Sequence, residues 1–68
     1  MYAIAIEGEL NRRGLPFYLI SVDEKKHLQV FAPDKERAIK FSTKLLAEEA
    51  LLHLPLSAGK KEVVVIEN

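Results

Sequence analysis

Hydrophobic and polar positions change their period several times along the chain, and each change predicts a new element. From Tyr2 to Glu7, large side chains alternate with small ones, which predicts a strand with Ala3 and Ala5 together on one face. The next stretch, Gly8 to Pro16, holds two glycines, an asparagine and a proline, and these residues favour a loop.

A β-hairpin is predicted after this loop. Phe17 to Val22 is rich in aromatic and β-branched residues and is apolar on both faces, as is typical of a central strand. Asp23 to Lys26 is polar and predicts a turn of about four residues, after which His27 to Phe31 returns as the second strand. Near the other end, Glu62 to Glu67 contains three consecutive valines and predicts the last strand.

One stretch, Ser42 to Leu54, has a clear helix start, body and stop. Ser42 is the predicted N-cap, because its hydroxyl can accept from the amides of the first turn, and Pro55 is predicted to end the helix. Asp34 could cap an earlier helical turn, so the pattern also allows one long helix from Lys35. We favour the shorter helix, because serine and threonine compete with backbone bonding inside a helix but suit its start.

The element order strand, strand, strand, helix, strand predicts a single α+β domain over residues 1–68. We expect a small, mostly antiparallel four-stranded sheet with one main helix packed on one face. One helix covers only one face of a sheet. Strands that are apolar on both sides therefore leave a second face for a partner or a second copy to cover.

The helix itself has two apolar sides. At about 100° per residue, one side is the predicted core face, formed by Leu46, Ala47, Ala50, Leu51 and Leu54. Leu45 and Leu52 fall on the opposite side among charged residues, and we interpret them as a candidate partner-binding pair. Phe41 would join them if the helix were the long one. Single leucines are also common on ordinary protein surfaces, and the following loop could fold over Leu52.

Composition and charge bear on which partners are expected. Hydrophobic residues make up 49% of the chain and charged residues 29%, which indicates a folded domain. Ten basic and ten acidic residues give a net charge of zero, whereas a nucleic-acid-binding protein usually carries a basic excess. The alternative function is still nucleic-acid binding, by the loop arginines and the strand aromatics, namely Arg12, Arg13, Phe17, Tyr18 and Phe31.

The sequence contains no pattern typical of catalysis, and we expect neither an enzyme nor a bound metal or cofactor. There is no cysteine, and His27 and His53 do not have the spacing of metal ligands. Glu48 and Glu49 are adjacent, so on a helix they project in directions about 100° apart and do not suit a shared acid/base site. No apolar run is long enough for a bilayer and no signal peptide is recognisable, so we expect a cytoplasmic protein without a membrane partner.

The segment Ala38 to Ala50 combines an Ala-x-x-Phe motif, a Ser/Thr cap and an Ala/Glu-rich helix, between a hairpin and a valine-rich strand. In this it resembles small uncharacterised bacteriophage and prophage accessory proteins, over about residues 17–67. The resemblance implies a protein that acts by binding host proteins. Inhibition of antiphage defence is one such action in that family. Leu45 and Leu46 stand where that family is expected to have charged residues, which favours an extra apolar contact here. We therefore predict a homodimer, or a small regulator or inhibitor of a larger host protein.

Overall fold

The computed structural model describes residues 1–23, 25–26, 28–54 and 60–66. Its elements are β1 (Tyr2–Leu10), β2 (Pro16–Asp23), β3 (Leu28–Ala32), α1 (Lys44–His53) and β4 (Lys61–Val65). The strands form one antiparallel sheet in the order β3-β2-β1-β4, and α1 lies against β1 and β4. The predicted α+β fold and its element order are confirmed. The predictions for His27, Pro55 and Glu67 lie outside the described residues.

β1 is longer than predicted, because it continues through Gly8 to Leu10. The loop predicted over Gly8 to Pro16 is therefore confined to residues 11–15. Gly8 has a φ of 80°, a backbone conformation that side chains disfavour, and the β1–β2 register shifts between Ala5 and Leu10. Glycine thus lets the strand bend where another residue would strain it.

The chain between β3 and α1 adds a short extra pairing to the sheet. Continuation of the β1–β2 register would bring Ser21 opposite Tyr2, but Phe41 occupies that position instead. β2 turns away at a register shift between Leu19 and Ser21, and the Ile39 amide donates to the Leu19 carbonyl at 3.0 Å. This crossing segment, residues 33–41, is therefore fastened to β2 and then to the start of β1.

Both faces of the sheet are covered around the middle of β1. On one face, the buried cluster consists of Ala3, Ala5, Tyr18, Ala38 and Ile66. The side chains of Ile4 and Leu19 are also fully buried, and three consecutive β1 residues have no exposed surface. The expectation of an uncovered second face is therefore wrong at the centre of the sheet, because the crossing segment supplies cover in addition to the helix.

The short helix is confirmed, but its cap lies one residue later than predicted. Thr43 is the N-cap, with an extended backbone and a side-chain oxygen that accepts from the Leu46 amide at 3.2 Å. Ser42 lies in the bend before it. Phe41 is held in extended pairing with Tyr2, so the chain turns at Ser42 before the helix can start.

Asp34 caps a turn and does not begin a helix. Its carboxylate accepts from the amides of Glu36 and Arg37 at 3.1 and 3.4 Å, and the turn ends there. Such a local side-chain bond offers the backbone an alternative to helical hydrogen bonding. The long helix from Lys35 is therefore not formed.

Four of the five predicted core positions of α1 face inward. Ala47 is fully buried, and Ala50, Leu51 and Leu54 are half-buried. The prediction for Leu46 is wrong, because 47% of this residue is exposed. Leu46 lies about 100° around the helix from Ala47, at the border between the buried and the solvent-facing sides.

Candidate protein-binding surface

The solvent-facing side of α1 carries two exposed leucines. Leu45 is 66% exposed and Leu52 is 83% exposed, which confirms that both lie outside the core. They are seven residues apart, so they lie on one line of the helix at a separation of about 10 Å. A single ridge on a partner, or a single groove, could contact both side chains at once.

Two glutamates flank this pair of leucines. Glu48 and Glu49 are both exposed and lie on either side of the line that joins Leu45 to Leu52. We call Leu45, Glu48, Glu49 and Leu52 the outer helix face. Lys44 approaches Glu48, with Nζ 3.9 Å from Oε1, but both side chains are at least half exposed, so this ion pair is weak. In the described part of the chain, Glu49 forms no ion pair, and the face is net acidic.

Phe41 is not part of the outer helix face. It precedes the cap and is half-buried, and its backbone is paired with Tyr2. Phe41 is predicted to join Leu45 and Leu52 only in a helix that starts near Lys35, and this helix does not form. The structure thus separates Phe41 from Leu45 and Leu52, the other two residues of the predicted partner-binding set.

The two arginines of the alternative site lie in a well-defined turn. Asn11 organises it, because its side-chain oxygen accepts from the amides of Arg13 and Leu15 at 2.9 and 2.8 Å. Gly14 follows with a φ of 78°, and its amide donates to the Asn11 carbonyl at 3.0 Å. Arg12 and Arg13 are exposed at the tip of this turn, as predicted for a loop.

The strand aromatics are less available than the nucleic-acid hypothesis requires. Tyr18 belongs to the buried cluster and offers no free ring face, while Phe17 and Phe31 are half-buried. The Lys61 ammonium lies 5.8 Å from the centre of the Phe31 ring, so this ring already has a cation above it. Base stacking needs open rings, and the described residues do not provide a platform of this kind.

Val65 is one of the exposed apolar positions that the sequence reasoning missed. Val65, on β4, is 71% exposed although it lies in a run of valines. β4 was predicted only as a strand with two apolar faces. Periodicity cannot show that a strand lies at the edge of a sheet, because strand order depends on long-range pairing.

The described residues form neither a metal-binding cluster nor a membrane-spanning helix. Within the described ranges, no three histidine, aspartate or glutamate side chains come close enough to hold a metal ion. The one helix found there has ten residues, and no helix in that part has the length and apolarity needed to span a membrane.

Comparison with known proteins adds no relative. No protein family, curated protein or solved structure matches the chain. The resemblance to phage accessory proteins therefore stays a prediction, and the support for a function comes from the geometry of the chain itself.

Proposed function

We propose that the protein is a small binding module that recognises another protein through its outer helix face. The observation that carries this proposal is the exposure of Leu45 and Leu52 on one line of α1, opposite the fully buried Ala47. The fold does not use these two leucines. Their removal from water on binding would therefore contribute free energy that folding of the monomer has not already contributed.

The free energy of burying these leucines is of the size expected for the central contact of a protein–protein interface. Full burial of one leucine contributes roughly 1.5 to 3 kcal/mol. Association costs several kcal/mol in lost motion, so two leucines alone do not make a tight complex. They fit the role of anchors for an amphipathic helix that lies in a groove, with further contacts around them.

The charges of the outer helix face favour a partner different from this chain. If two copies packed α1 against α1 about a two-fold axis, with Leu45 on Leu52 of the other copy, the axis would pass between residues 48 and 49. Each Glu48 and each Glu49 would then face its own counterpart, and such like-charge contacts disfavour association. An apolar groove with basic residues at its rim complements this face, which fits a regulator or inhibitor of a larger protein.

Affinity capture with matched variants tests the proposal. The wild-type chain is used as bait in cells that express it naturally, and bound proteins are identified and then purified for titration. Leu45→Glu and Leu52→Glu should each weaken the purified complex by about tenfold or more, equivalent to about 1.4 kcal/mol. Leu28→Glu is the control, because Leu28 is exposed on β3, away from α1.

The variants must keep the wild-type fold, as judged by circular dichroism and thermal unfolding. A partner that binds all three variants equally well would contradict the proposal. So would unfolding of the Leu45 and Leu52 variants, because that would show that both side chains belong to the core.

A further inference from the structure

In the described part of the chain, β4 forms a regular edge of the sheet. It is the last strand in the order β3-β2-β1-β4, and it pairs with β1 over five consecutive residues without a register shift. The β1–β2 and β2–β3 pairings each contain a shift. Of the two ladders that end at an edge of the sheet, the one that ends in β4 is therefore the regular one.

The backbone groups of Val63 and Val65 point outward from this edge. Glu7 donates to the Lys60 carbonyl and Ile66 donates to the Met1 carbonyl, both at 2.8 Å. Because alternate residues of an antiparallel strand face the same neighbour, Val64 is turned toward β1, and Val63 and Val65 are turned away. Within the described part of the chain, no backbone group pairs with these outward amides and carbonyls.

Among the described residues, this part of the edge has none of the usual protection against strand pairing. Natural edge strands are commonly blocked by proline, by lysine, by a bulge or by a covering segment. Residues 63–65 are three valines, the ladder beneath them has no bulge, and the side chain of Val65 is 71% exposed. A strand of this kind is a template for another strand.

We infer that β4 pairs in antiparallel orientation with β4 of a second copy of this chain, about a two-fold axis at Val64. Val63 of each copy lies opposite Val65 of the other. The two valine pairs exchange four backbone hydrogen bonds, which use the outward groups just described. The result is one continuous eight-stranded sheet through both copies.

A second copy fits this edge because the strand is complementary to itself. A two-fold axis perpendicular to the sheet at this edge makes the added strand antiparallel. In the register centred on Val64, the two Glu62 side chains lie about 13 Å apart along the strands. A register centred on Glu62 would place them directly opposite each other, which is destabilising. The register centred on Val64 therefore places valine against valine at positions 63, 64 and 65 and keeps the two Glu62 side chains apart, so the strand can pair with its own copy.

Mass measurement by light scattering after gel filtration is the first test. At high protein concentration, we expect twice the chain mass of 7.7 kDa. Val65→Lys should raise the dissociation constant of the dimer by about tenfold or more, because it replaces the cross-strand valine contact with Val63 of the other copy and puts a lysine on the edge strand, which disfavours strand pairing. Val30→Lys is the matched control, since Val30 is an exposed valine on β3 at the opposite edge, and it should leave the dimer unchanged.

Amide hydrogen exchange of the wild-type protein gives a second, independent test that needs no variant. In the monomer, the Val64 amide is protected by β1, whereas the amides of Val63 and Val65 exchange rapidly. As concentration rises, both of these amides should become protected together with the mass increase. A chain that stays monomeric at near-millimolar concentration overturns the inference, as does a dimer in which Val63 and Val65 stay unprotected or that Val65→Lys leaves intact.

The outer helix face takes no part in this contact. Leu45→Glu should therefore leave the dimer intact, and Val65→Lys should leave binding of a different protein intact. The two results show separately whether the proposed function or the β4 pairing fails.

Discussion

Tyr2 and Phe41 are joined by two backbone hydrogen bonds, of 2.9 Å from the Tyr2 amide and 2.8 Å from the Phe41 amide. This pair closes the crossing segment onto the first strand and fixes where the helix can begin. Phe41 also lies opposite Tyr2 at the position that Ser21 would take if the β1–β2 register continued. The pair therefore connects the hairpin, the start of β1 and the approach to α1.

Hydrogen exchange should show this closure directly. We expect the Phe41 amide to exchange much more slowly than the neighbouring Ser42 amide, because only the former donates a hydrogen bond within the described structure. Nuclear magnetic resonance exchange rates, corrected for intrinsic rates, measure the difference. Equal protection of the two amides would contradict the pairing of Phe41 with Tyr2.

The cap of α1 can be located by two single substitutions. Thr43→Ala should lower the free energy of unfolding by about 1 kcal/mol, because the Leu46 amide loses its acceptor. Ser42→Ala should change it much less, since Ser42 is exposed and its hydroxyl caps no amide among the described residues. Urea unfolding followed by circular dichroism gives both values. The reverse order of effects would place the cap at Ser42.

Two leucine truncations should separate the core from the outer helix face. Leu19→Ala should cost about 2 to 5 kcal/mol, because Leu19 is buried and a cavity would remain. The same change at Leu52 should cost less than about 0.5 kcal/mol, since this residue is mostly in water. Both are measured by urea unfolding at a concentration where only monomer is present. A similar loss in the two variants would mean that Leu52 is packed against the fold.

Gly14 should be sensitive to backbone conformation and insensitive to side-chain size. Its φ is 78°, and a Cβ placed there would have no atom within 4 Å, so a substitution meets strain but no clash. Gly14→Ala should destabilise the chain by about 1 to 2 kcal/mol. Gly14→Asn should cost less, because asparagine tolerates the left-handed region. Thermal unfolding compares the two, and equal losses would argue against a left-handed residue at this position.

Local patterns in the sequence predict most of this fold. Alternation marks the first strand, the polar segment at Asp23 marks the hairpin, and the spacing of Ala47, Ala50 and Leu51 marks the buried side of the helix. Each of these signals depends on residues within a few positions of one another. The exposure of Leu45 and Leu52 could be predicted for the same reason.

The features that could not be predicted depend on contacts between distant segments. The cap at Thr43 follows from the pairing of Phe41 with Tyr2, and the exposure of Val65 follows from the place of β4 in the sheet. Serine and threonine are similar as caps, so local chemistry cannot choose between Ser42 and Thr43. The second cover of the sheet was missed because the crossing segment has no periodic pattern of its own.

Ala3, Ala5 and Ala38 in the buried cluster limit which amino-acid substitutions this chain tolerates during evolution. Here the sheet layer and the crossing segment meet in part through the methyl groups of these buried alanines, beside Tyr18 and Ile66. A larger residue at any of the three would push the layers apart, and glycine would loosen the unfolded chain and remove the contact. Substitution is therefore unfavourable in both directions. Among descendants of this protein, these plain alanines should change more slowly than the charged residues of its surface.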